Sequence, residues 1–174
     1  MKQIDDRTLE YLSQNPHSVV LLFAHEIESS DSTRSSADTV ALDPYTGAPL
    51  EGSGFPERVF TSGQTLGLGR DRSSLCRLVA NSSPSTSLLE RFLSLEACDE
   101  AIEVEDVGVF YAYRAKTIQM VAEEASRLDA EQMTAPVADA TESTKRYHAV
   151  LLGDLKAYLL DSSRKGLGIL LVEV

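Results

Sequence analysis

Apolar side chains along this chain recur at two spacings, and the spacing predicts the elements. Ile4, Leu9 and Leu12 form a narrow helical stripe over Ile4 to Gln14, with Asp5 or Asp6 able to cap it. Asn15-Pro16 ends that helix, because the residue before proline is pushed out of the helical region. "SVVLLFAHEI", 18 to 27, is a continuous apolar run with β-branched residues and predicts a buried strand. Arg58 to Thr61 predicts another, so a strand is expected over 57–62. Leu75 to Ala80 fits helix and strand equally. Ser87 and Glu90 stand at capping-box spacing before Leu88, Leu89, Phe92, Leu93 and Leu95, which predicts a helix near 87–98. Ile102 and Val104 alternate with Glu103 and Glu105, the period of a half-exposed strand over 101–109. Ala115, Ile118, Val121, Ala122, Ala125 and Leu128 return to helical spacing, giving a helix near 112–132. After the linker "TAPVADATEST", Tyr147, Val150, Leu151, Leu155, Tyr158 and Leu159 predict a further helix over 144–160. Gly153 weakens it, and 148–152 also reads as a strand. "LGILLVEV", 167–174, predicts a final strand.

Strands and helices mix here without βαβ alternation. The pattern therefore predicts an α+β fold, one domain over 1–174. A mixed or antiparallel sheet from 18–27, 57–62, 101–109 and 167–174 is packed by about three to four helices. Between its first two strands lies a long polar loop, 28–56, containing "ESSDSTRSSAD" and "LDPYTGAPLEGSGFP". A chain of 174 residues can bury about 70% of its unfolded surface, enough for a core without cross-links. Cys76 and Cys98 are too few for a disulfide framework or a zinc site, so both are expected as reduced thiols. "MKQIDDRTLEYL" does not read as a secretory signal, and no apolar run reaches the ~20 residues of a membrane helix. The expectation is a soluble cytoplasmic protein.

Charge narrows the classes of partner. The net charge of -11 argues against gripping a nucleic-acid backbone, which needs lysine and arginine to neutralise phosphates. The charge is also uneven. Residues 96–142 hold twelve acidic and three basic residues, a balance of -9, whereas 56–95 hold three acidic and five basic, a balance of +2. Such a surface suits a basic protein partner, or mimicry of a nucleic acid.

The richest candidate for chemistry is "VFTSGQTLGLGRDRSS", 59–74. Gly63, Gly67 and Gly69 do not meet the Walker pattern, because no lysine follows. They do not meet the dinucleotide pattern either, because position 72 is Arg. What remains is an anion site built from Arg70, Arg72 and Arg77 with the hydroxyls of Ser73 and Ser74, since arginine binds phosphate or carboxylate bidentately. Gly69-Arg70, Ser85 and Asp106-Val107-Gly108 faintly resemble the forkhead-associated domain, across residues 59 to 118. The resemblance implies a β-sandwich that binds phosphothreonine peptides. Leu88 stands where that family has histidine, and "VFYAYRA" stands where it has Asn-Gly.

The remaining chemistry-bearing residues form no motif. His25 with Glu26 lacks the second histidine of a zinc protease helix, His17 and His148 stand apart, and no G-x-S-x-G occurs. Cys76 beside Arg77 reads as a packed thiol, and Tyr111 and Tyr113 read as core and rim. No catalytic residue, metal site or cofactor is expected. The leading expectation is a non-catalytic interaction or assembly subunit of a bacterial or phage multiprotein complex. It uses an acidic surface and the 28–56 loop for contacts, and oligomerisation is compatible with it. The alternatives are a phosphate- or phosphopeptide-binding module, a small enzyme with an anion site at Arg70 and Arg72, and an acidic nucleic-acid mimic or inhibitor.

Overall fold

The computed structural model describes residues 1–19, 22, 63–68, 71–82, 87–129 and 141–172. The loop at 28–56 and the expected strand at 57–62 lie outside the described residues. Among the described residues four strands form one sheet: β1 (Lys2–Ile4), β2 (Glu100–Val104), β3 (Gly108–Tyr113) and β4 (Gly168–Val172). Their order is β1-β4-β3-β2, and every pairing is antiparallel. Five helices bounded within the described residues accompany them: α1 (Asp6–Gln14), α2 (Arg72–Ser82), α3 (Leu88–Leu93), α4 (Ala115–Ser126) and α5 (Glu142–Lys165). The α+β class expected from the pattern is the class observed.

Alternation along the strands gives the sheet two apolar faces. Ile4, Leu170, Ala112, Phe110, Ile102 and Val104 point one way and pack with Leu9 and Leu12 of α1, Val19 and Leu22. Tyr113, Ile169 and Leu171 point the other way, into a larger cluster with α2, α3, α4 and α5. Helices therefore cover both sides of the sheet.

Several boundaries depart from the pattern, each for a physical reason. Ser18, Val19 and Leu22 are helical, not part of a strand. The Ser18 N–H donates to Asn15 O and the Val19 N–H to Pro16 O, so Pro16 opens a new helical turn as well as closing α1. An unbroken apolar run suits any element buried all round, and its period cannot decide between strand and helix. The strand expected over 101–109 is the first arm and turn of a hairpin. The chain reverses at 105–107, with Asp106 at φ 62 and Gly108 at φ 135, and β3 returns through Tyr113. Residues 112 and 113, expected as helix, are thus strand, and α4 starts at Ala115. Positions 75–80 and 148–152 are helical. β1 was not legible, because "KQI" is three residues long and mostly polar.

Two glycines are required by close approach. A Cβ on Gly63 would lie 2.1 Å from Gln3 O, and one on Gly168 would lie 2.3 Å from Tyr113 O. Gly63 thus lets the 63–66 segment lie against β1, where Gln3 N–H donates to Gln64 O at 2.9 Å and Leu66 N–H to Met1 O at 2.8 Å.

Candidate functional site

Of the residues expected to bind an anion, Arg72, Ser73, Ser74 and Arg77 lie on the first two turns of α2, while Arg70 lies outside the described residues. Ser73 and Arg77 are exposed and four apart, on one helix face. Arg72 turns elsewhere: its Nη1 donates to Leu93 O at 2.7 Å. That carbonyl is at the C-terminal end of α3, where carbonyls lack helical partners. The Tyr113 hydroxyl donates to the neighbouring Phe92 O at 3.1 Å, with the two rings 4.6 Å apart. Burial pushes the Tyr113 hydroxyl well above the usual tyrosine range, so it stays a donor.

The other end of α3 is held with equal care. Ser87 Oγ accepts from Glu90 N–H at 3.2 Å, as the capping spacing predicts. The supporting carboxylate, however, comes from α4. Glu124 accepts from the Ser87 hydroxyl, from Leu88 N–H at 2.8 Å and from Leu89 N–H at 3.4 Å. At the start of α4 the same chemistry recurs. Asp99 accepts from Arg114 N–H at 2.7 Å and from the Thr117 hydroxyl at 2.9 Å, and Asp6 accepts from Ala115 N–H at 3.0 Å. Several carboxylates that looked like surface charge in the sequence thus cap helices, as an anion near a helix N-terminus should.

What remains unspent is the acidity of the β2–β3 hairpin. Glu103, Glu105 and Asp106 are exposed, beside an exposed Val107. Glu100, at the strand's start, faces Arg114 Nη2 at 3.8 Å. Among the described residues β2 has a single neighbouring strand, β3, so its outer side is an open sheet edge.

The other candidates are accounted for by packing. The Cys76 thiol is pushed up by burial and then by Glu90, and its Sγ is 3.8 Å from Glu90 O, the opposite of an activated nucleophile. His17 is exposed, and His148 is half-buried beside the Tyr147 ring; His25 lies outside the described residues. Among the described residues no three potential metal ligands cluster, and no helix is long and apolar enough to cross a membrane. An apolar cleft between Leu89, Leu128, Leu152 and Lys156 holds only about 10 Å³, room for roughly one water.

The β-sandwich implied by the forkhead-associated resemblance is not the fold of this segment. Arg72–Ser82 and Leu88–Leu93 are helices, and Asp106-Val107-Gly108 lies at a hairpin tip. Gly69, Arg70 and Ser85 lie outside the described residues. Comparison with family models, with curated proteins and with solved structures finds no match to this chain.

Proposed function

We propose that this protein is a non-catalytic interaction or assembly subunit that engages a basic protein partner through its acidic surface. The observation that carries the reading is the distribution of carboxylates. Between residues 96 and 142 the chain has a balance of -9. With Glu124 and Asp99 engaged in capping helices and Glu100 facing Arg114, Glu103, Glu105 and Asp106 still stand together on one exposed hairpin. Charges grouped this way raise the rate of encounter with a basic surface and repel acidic ones.

Capture from the native host tests this, with the parent and a neutralised variant (Glu103→Gln, Glu105→Gln, Asp106→Asn) as parallel baits. A basic partner retained by the parent at low salt, lost at high salt and lost from the variant is the expected result. Equal retention on both baits, or no retention on either, overturns the reading.

A further inference from the structure

The hairpin that carries the unspent carboxylates also carries an open sheet edge, and the two features coincide on β2. Its five residues, Glu100–Val104, pair among the described residues only with β3, in the register Glu100↔Ala112 to Val104↔Gly108. At the opposite edge the sheet is sealed. The 63–66 segment bonds along β1, with a bridge between Lys2 and Thr65. Gln3 adds side-chain bonds, its Nε2 donating to Asp161 and Ser162 and its Oε1 accepting from Gln64 N–H. One edge is closed and the other offers backbone donors and acceptors, which template pairing with another strand.

Charge decides what can occupy that edge. A second copy added antiparallel with the longest overlap of Glu103 and Glu105 would set Glu103 of one copy opposite Glu105 of the other, and like charges facing across strands are destabilising. A strand bearing lysine or arginine at alternate positions would place opposite charges there instead. We infer that the open edge of β2 docks an extended basic segment of a partner protein by strand addition, with Glu103, Glu105 and Asp106 pairing its cations. This rests on the interaction reading above and specifies its mode. Five β2 residues span about 17 Å, so a partner segment of roughly five to six residues matches the edge. Backbone pairing and the carboxylates both supply affinity, and the carboxylates also select for the basic partner.

The test uses the full chain and three synthetic peptides. One alternates lysine and valine. The second has proline in place of each valine, keeping the charge, removing every second backbone N–H donor and so breaking the ladder. The third is a lysine-rich alanine helix. Binding is followed by fluorescence anisotropy and by hydrogen exchange. The strand peptide is expected to bind about tenfold more tightly than the other two, and to slow exchange at amides within 100–104 by a similar factor. The Glu103→Gln, Glu105→Gln variant is expected to lose most of this affinity while keeping the parent's melting temperature. Equal affinity for all three peptides overturns strand addition yet leaves the acidic-surface reading intact. So does tight binding without protection at 100–104. Protection there that grows with protein concentration in the absence of peptide assigns the edge to a second copy and also overturns the proposal. Binding of none of the peptides overturns it as well. The host-capture experiment separately decides the broader reading.

Discussion

The carboxylate of Glu124, on α4, accepts the backbone N–H of Leu88, the first residue of α3, at 2.8 Å. Thirty-six positions separate them in the chain. A six-residue helix has too few internal bonds to stand alone, so its ends depend on such outside partners. Replacing Glu124 by alanine leaves Leu88 N–H and the buried Ser87 hydroxyl without this acceptor. The expected loss is about 1–3 kcal/mol, read as a drop in the urea midpoint with an unchanged slope. Glutamine, which keeps one acceptor oxygen, is expected to recover part of the loss.

Arg72 acts on the other end of the same helix. With its bond to Leu93 O removed, Arg72→Ala is expected to cost about 1–2 kcal/mol. Arg77→Ala, on an exposed position of α2, is expected to change stability by less than about 0.5 kcal/mol. Thermal melts of the two variants separate a structural arginine from a surface one. The same melts in added phosphate check the interaction-subunit reading, which expects no stabilisation of the parent. A phosphate-dependent rise that Arg77→Ala abolishes would instead favour an anion site on α2.

Gly153 lies inside α5, exposed, and a Cβ built on it meets nothing within 4 Å. Gly153→Ala is therefore expected to raise stability by about 1 kcal/mol, since only the backbone freedom of the unfolded chain changes. Gly166 sits at φ 65 after the last turn of α5. Alanine there is expected to act in the opposite sense, by about 1 kcal/mol. Chemical denaturation of both variants gives the paired signs.

Lys165, bonded to Asp161, and next Gln3 hold the Asp161 carboxyl below its ordinary range. A depressed carboxyl contributes stability that is present above its unfolded pKa and lost as pH falls through the folded one. The acid limb of a stability-versus-pH curve is expected to flatten below about pH 4 in Asp161→Asn. An unaltered acid limb would show that the pair contributes nothing measurable.

The Cys76 thiol, raised by burial, is expected to alkylate more slowly at pH 8 than a free thiol such as glutathione. Labelling rates followed by mass spectrometry check this. Gain of reactivity in Glu90→Gln, with burial unchanged, would confirm the second contribution to the shift.

The sequence was most legible where a period had room to repeat. Ala115 to Ala125 and Leu151 to Leu159 mark helices whose faces are buried as the spacing predicts. Ser87 was legible as a cap, but Glu124 was not, because a carboxylate thirty-seven positions away leaves no local trace. Ala112 and Tyr113 depart from the spacing for a related reason. They run straight into the helical stripe that starts at Ala115, and only pairing with β2 and β4 makes them strand. Of the candidate site, the types of residue were readable and their assignments were not. Arg72 looks the same in sequence whether it faces an anion or a carbonyl. The acidity of 101–109 was visible, yet the open edge beneath it follows from strand order, which depends on contacts between distant segments.

β4 lies between β1 and β3, although it is the last of the four strands to emerge during synthesis. Until residues 168–172 arrive, the β2–β3 hairpin can close but β1, bonded along its other side to the 63–66 segment, lacks the strand that links it to β3. Assembly of the whole sheet must therefore wait for a contact spanning more than 160 residues, and long-range closure of this kind slows folding. A nascent chain stalled before β4 would expose both apolar faces of an unfinished sheet, the kind of surface that invites aggregation.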